Sequence, residues 1–113
     1  MRAVAGYRGE LLRLAVDVGE RLLTAFDGCG VLPRAFVRLR GGIPRMNGKR
    51  EQCTAGVGTL LLEFGTLSRL SLDDRFEKAA LCALRLLWSK RSTRDLLGAL
   101  SPTPPSHPMG PPP

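Results

Sequence analysis

Residues 53–90 read C-T-A-G-V-G-T-L-L-L-E-F-G-T-L-S-R-L-S-L-D-D-R-F-E-K-A-A-L-C-A-L-R-L-L-W-S-K, and this run decides the fold. From Val57 onward Leu60, Leu61, Phe64, Leu67 and Leu70 recur at three- and four-residue steps. That spacing puts side chains on one face of an α-helix and predicts a helix over about 54–71. Asp73 or Asp74 is placed to cap a second helix by accepting its free backbone N–H groups, and Glu77 adds negative charge to the first turn. Phe76, Ala79, Ala80, Ala83, Leu86 and Leu87 continue the pattern to about Lys90, so the run is a helical hairpin. At 100° per residue Glu63 projects between Leu67 and Leu70, inside the apolar arc. A carboxylate buried there without a partner is costly, so it either reaches solvent or an arginine at the margin, or lines a shared polar site.

Upstream, Leu11, Leu14, Ala15, Val18, Leu22 and Phe26 share a face, which predicts a helix from about Gly9 to Phe26 packed along its whole length. Asp27, Gly28 and Gly30 end it. Residues 31–52 form a long connection in which Phe36, Val37, Arg38, Leu39 and Arg40 predict a short extended piece turned at Gly41-Gly42. Beyond residue 100 the chain reads S-P-T-P-P-S-H-P-M-G-P-P-P. Proline removes backbone donors and fixes φ, so this is a disordered, polyproline-like tail. His107, the only histidine, lies in it without acid or nucleophile partners.

At 113 residues there is room for one small domain. The formal charge of +7 raises the question of nucleic acid or an anionic surface. The basic residues are dispersed, however, in a loop (Arg34, Arg38, Arg40, Arg45, Lys49, Arg50) and after a helix (Lys90, Arg91, Arg94). With one Tyr and one Trp there is no series of aromatics on which bases would stack, and no nucleic-acid partner is expected. No stretch is apolar over the 18 or so residues of a membrane span. The start, M-R-A-V-A-G-Y-R-G-E, is too short and polar for a secretory signal, so either one lies upstream of Met1, as a lumenal product would need, or the product stays in the cytosol. Three cysteines, Cys29, Cys53 and Cys82, include no C-x-x-C pair and lie near no histidine, which argues against a zinc site. Cys82 sits beside the apolar face of its helix and is read as a buried thiol; Cys53 is free to pair in an oxidising compartment.

The run C-T-A-G-V-G-T-L-L-L-E-F-G-T-L-S-R-L, followed by D-D-R-F-E-K-A, resembles glycoside hydrolase family 47, the class I α-mannosidases. The C-T-A-G start is most similar to its ER degradation-enhancing α-mannosidase-like branch. E-L-L-R-L-A-V-D-V-G-E-R-L-L-T-A-F-D at 10–27 resembles the preceding helix of the same family. The resemblance implies an all-α fold: residues 1–100 as a partial (α/α) barrel, about three helices of an (αα)7 toroid, ahead of the tail at 101–113. It implies a fragment of an inverting mannosyl-oligosaccharide 1,2-α-mannosidase that trims high-mannose N-glycans of misfolded glycoproteins in the endoplasmic reticulum lumen. In that family a calcium ion at the bottom of the barrel helps bind the terminal mannose and the attacking water.

The catalytic set implied by the resemblance lies elsewhere. An inverting glycosidase needs an acid for the leaving oxygen and a separate base for the water. The family's acid glutamate belongs to F-E-x-x-I-R in an earlier helix, whereas Phe76-Glu77 is followed by Lys-Ala-Ala-Leu. The partner carboxylates and the calcium-binding threonine belong to later helices, so this chain is expected to hold no metal ligand and to be inactive alone. Glu63 matches a family glutamate near the glycan and is expected to support the site rather than act as the acid. Thr54 and Thr59 point toward the same end or stripe, and helix capping or packing also accounts for them. The resemblance further implies that Cys53 could meet a lumenal redox partner.

This sequence departs from the family at three places. In the loop that family members write T-G-I-P-Y-x-x-V-N-L, Pro33, Val37 and Leu39 keep the pattern, but Arg34 stands for the tyrosine and Arg38 for the asparagine. Leu72 occupies a turn position where relatives usually have glycine, at a cost of roughly 1 kcal/mol or more if φ is positive. Three functional readings follow: a partial mannosidase, a non-catalytic helical protein-binding module, and a basic helical peptide for nucleic acid or anionic membranes. Faces that would meet neighbouring barrel helices should leave the isolated chain marginally stable or self-associating.

Overall fold

A computed structural model describes residues 6–40, 43–44 and 53–98; the tail, the N-terminal residues and the basic run at 45–50 lie outside the described residues. The chain order is α1 (Glu10–Leu23), β1 (Val37–Arg38), β2 (Ile43–Pro44), α2 (Thr54–Gly58), α3 (Leu60–Ser71) and α4 (Arg75–Ser89). The fold is mostly helical. Among the described residues the one ladder is the antiparallel pair of β1 and β2, with Val37 opposite Pro44 and Arg38 opposite Ile43.

The predicted 54–71 helix is two helices. Gly56 and Gly58 weaken the first turns, and Thr59, the cap between α2 and α3, turns its hydroxyl back to donate to the Ala55 carbonyl at 2.7 Å. Such back-bonding competes with a regular ladder and favours a break. Cys53 caps α2, its sulfur accepting from the Gly56 N–H at 3.2 Å.

Two apolar clusters form the core. In one, Phe64, Phe76 and Ala80 are buried, with Val16, Leu22, Leu23, Phe26, Leu61 and Leu67 around them. In the other, Leu32, Val57, Ala83 and Leu87 are buried. Phe26 borders both. Its ring centroid lies 5.6 Å from that of Phe64, which meets Phe76 edge-on at 5.7 Å. Edge-to-face pairs of this kind add about 0.5–1.5 kcal/mol beyond their buried area.

The α3–α4 turn meets the expected capping in part. Asp73 accepts from the N–H of Arg75, the first residue of α4, at 3.0 Å and from its guanidinium, whereas Asp74 makes no cap bond and pairs with Lys78. The Glu77 N–H instead donates to Ser68 Oγ of α3 at 2.8 Å. This bond explains a serine, 6% exposed, on the buried face of α3: a helix start leaves N–H groups without intrahelical acceptors, and the neighbouring helix supplies one. Arg75 also reaches Glu20 of α1 at 3.0 Å. These hydrogen bonds hold the Asp73 carboxyl below the usual carboxylate range and the Arg75 guanidinium above its ordinary value.

The first helix is packed on one side only. Val16, Leu22, Leu23 and Phe26 enter the aromatic cluster, while Leu11, Leu14 and Val18 stay 70%, 62% and 42% exposed. The expected face was therefore the wrong stripe over most of its length. The helix is apolar on two sides, and among the described residues only the one centred on Gly19 finds a partner. Leu70, assigned to the buried face of the next helix, is likewise half exposed.

Cys82 is not a thiol. It is bonded to Cys29, in the connection after α1, with 4.8 Å between Cα atoms. The spacing gave no sign of this, because 53 residues separate the two and only the docking of α1 brings them together. Cys53 is the free cysteine, and it is exposed.

Leu72 ends α3 in the left-handed region, φ 59° and ψ 28°, with its side chain 92% exposed. The strain expected at this position is therefore present and no packing offsets it. Leu72→Gly is expected to raise the free energy of unfolding by about 1 kcal/mol, read as a higher midpoint in urea; an unchanged or lower midpoint would contradict the strain. Gly19 has the opposite role. A Cβ there would lie 2.6 Å from Leu67 Cδ2 and 2.8 Å from Phe76 Cε1, and Phe76 is fully buried. Gly19→Ala should gain helix propensity yet lower the melting temperature, the clash costing about 1–3 kcal/mol.

Candidate functional site

The break at Thr59 re-aims α3, and the outward face of α3 becomes one wall of an open groove. Thr59, Glu63, Thr66 and Arg69 follow one another at steps of four, three and three residues, so they form a polar stripe along that helix. Leu61, Leu62 and Gly65 lie between them, and Glu77 and Leu81 of α4 complete a groove of about 580 Å³.

Glu63 is exposed on this groove rather than sunk in the apolar arc. The buried stripe of α3 is Phe64, Gly65 and Ser68, because Phe64 faces the aromatic cluster and Ser68 faces the start of α4. That rotates Glu63 to the side that α4 does not cover. Among the described residues Glu63 makes no ion pair or hydrogen bond through its carboxylate, so both oxygens remain available to hydroxyl donors. Arg69, two turns on, supplies N–H donors to the same groove.

Thr59 joins Glu63 on the groove, with its hydroxyl hydrogen committed to Ala55 and its oxygen left as an acceptor. Thr54 does not join them: it opens α2, exposed and away from the groove lining. Thr66, Arg69 and Glu77 are additions that the sequence reading did not assign to a site. The signal was present in the 59-63-66-69 spacing, but the apolar periodicity of the same helix drew attention to its other face.

The arginines that replace family positions in the loop after α1 are held differently. Arg34 turns back to Asp27 at 2.9 Å, its backbone N–H donates to the Ala25 carbonyl at 2.8 Å, and its side chain is 16% exposed. Arg38 lies exposed on β1. Beside this loop a smaller cavity of about 230 Å³ is lined by Leu22, Ala25, Phe26, Pro33, Arg34, Ala35, Val37, Gly56 and Leu60. Among the described residues no three His, Cys, Asp or Glu side chains converge where they could hold a metal ion.

Comparison with known proteins identifies the family. The model of glycosyl hydrolase family 47 matches residues 3–104. The chain is 52% identical over 92 residues to Alpha-mannosidase I MNS5 of Arabidopsis thaliana, a match covering 81% of this chain and 16% of that protein. It is 41% identical over 90 residues to ER degradation-enhancing alpha-mannosidase-like protein 2 of Homo sapiens, covering 80% of this chain and 15% of that protein. No solved structure matches the chain. It spans less than a fifth of these curated relatives, and it belongs to glycosyl hydrolase family 47.

Proposed function

We propose that this chain is a segment of a class I α-1,2-mannosidase of the ER degradation-enhancing kind, and that α3 and α4 form one helix pair of its (α/α) barrel. The observation that carries the reading is the family match over residues 3–104, nearly the full chain, at the identities given above. The uncovered stripe of Leu11, Leu14 and Val18 supports it, since helices of a closed barrel have neighbours on both sides.

The parent activity would be inverting hydrolysis of terminal mannose on N-glycans of misfolded glycoproteins in the endoplasmic reticulum lumen. The acid, the base and the calcium ligands of that reaction would come from helices outside these residues, which leaves the segment inactive alone. Its own contribution would be the groove of α3. A mannose residue presents several hydroxyls, and the free Glu63 carboxylate is suited to accept from one or two of them while Arg69 donates to another. Hydrogen bonds of this type orient a sugar for attack, and a misplacement of about 1 Å can cost about a hundredfold in rate.

The test is a graft. Residues 10–98 are placed in Alpha-mannosidase I MNS5 in place of its matching segment, and mannose release from a high-mannose N-glycan is followed. The folded graft should release mannose, its Glu63→Gln form should lose about a hundredfold in kcat/KM, and the free chain should release none. A graft that melts cooperatively but is inactive would overturn the reading; an undiminished Glu63→Gln graft would remove Glu63 from it.

A further inference from the structure

We propose that Gly65 is a specificity-determining residue of the α3 groove: its missing side chain keeps a recess in the groove where the ring of a sugar lies against the helix. The inference rests on the mannosidase reading of that groove and adds a residue to it.

Glycine is among the poorest residues for a helix interior, because it loses more backbone freedom on folding than any other. Where one stands inside a helix, a positive φ, a close neighbour or an approaching ligand accounts for it. Gly65 lies in the middle of α3, and it is not one of the glycines with positive φ, which are Gly6, Gly9 and Gly28. Packing does not require it either. Gly19 and Gly58 show what such a requirement looks like: a Cβ on Gly19 would lie 2.6 Å from Leu67 Cδ2, and one on Gly58 would lie 3.0 Å from Leu87 Cδ2. A Cβ on Gly65 would meet no packing neighbour within 4 Å among the described residues. Alanine would therefore fit there and strengthen the helix, so the packing of these residues leaves the glycine without a reason.

Its position in the groove supplies one. Gly65 is buried, yet the place its side chain would take is empty, which is the description of a recess. It lines the groove with Leu61, Leu62 and Leu81, and with Glu63 and Arg69. The Thr66 hydroxyl donates to the Leu62 carbonyl at 2.7 Å, as the Thr59 hydroxyl does to Ala55, so both threonines have spent their hydrogens and face the groove as acceptors. The groove thus combines free acceptors, the donors of one guanidinium, and leucine side chains beside a bare turn of helix. A pyranose ring matches that combination: its hydroxyls suit Glu63 and Arg69, and its C–H face suits the leucines and the bare backbone. A side chain on Gly65 would fill the recess and hold the ring away.

Two measurements test this role, one on stability and one on binding. In the full chain Gly65→Ala should melt at the same temperature or higher, unlike Gly19→Ala. A lower melting temperature would show that packing demands the glycine and would overturn the role. In the graft of residues 10–98 into Alpha-mannosidase I MNS5, Gly65→Ala should raise KM for a high-mannose N-glycan about tenfold and Gly65→Leu about a hundredfold, with kcat within about twofold. Such a split marks the loss of binding shared by the ground state and the transition state. Unchanged KM in both variants, or a loss confined to kcat, while the parent graft releases mannose, would overturn the role of Gly65 and leave the mannosidase reading standing. A parent graft that melts cooperatively and releases no mannose would overturn that reading, and this role with it.

Discussion

The edge-on contact of Phe64 with Phe76 is the constraint from which the rest of this structure follows. It fixes the rotation of α3 on α4, and so decides which face of α3 is buried. It also leaves room for α1 only where that helix has no side chain, at Gly19. Phe26 then closes on Phe64, and the connection that follows is led past α4, where Leu32 and Cys29 make their attachments. Each step is steric: one ring in place excludes other arrangements of its neighbours, as expected of an interior packed to the density of a crystal.

The groove is a by-product of the same rotation. With Phe64 and Ser68 turned inward, Thr59, Glu63, Thr66 and Arg69 are left together on the uncovered side of α3. A polar stripe on a helix is usually solvated surface. What distinguishes this one is that Glu63 has no partner among the described residues, although arginines elsewhere in the fold are engaged: Arg21 by Asp17, Arg34 by Asp27, Arg75 by Asp73 and Glu20, and Arg91 by Asp95.

The helices were legible in the sequence because their apolar spacing is strong, and the family was legible because the run from Cys53 to Leu70 is long and uninterrupted. The strain at Leu72 was legible too, from a single residue in a turn. Three features were not. The stripe of α1 that packs could not be chosen from periodicity, because Leu11, Leu14 and Val18 are as apolar as Val16 and Leu23; the choice is made by Gly19, whose significance appears only against Phe76. The first N–H of α4 is taken by Asp73, as sequence rules expect, but that of Glu77 is taken by Ser68, a residue on another helix, whereas those rules look to the residues just before the helix. The Cys29–Cys82 bond depends on tertiary docking and has no local signal. For the groove, Glu63 was found through its place in the helical pattern and then its motif, while Thr66 and Arg69 were overlooked beside a stronger apolar pattern.

The central claim is that these helices are one portion of a larger helical barrel. Sequencing the full-length transcript across both ends of the reading frame tests it most directly. The account predicts a continuous frame that carries the F-E-x-x-I-R motif upstream and further helical pairs downstream. In-frame stops immediately before Met1 and after Pro113 would contradict it, and would leave a small helical binding module in place of a mannosidase segment.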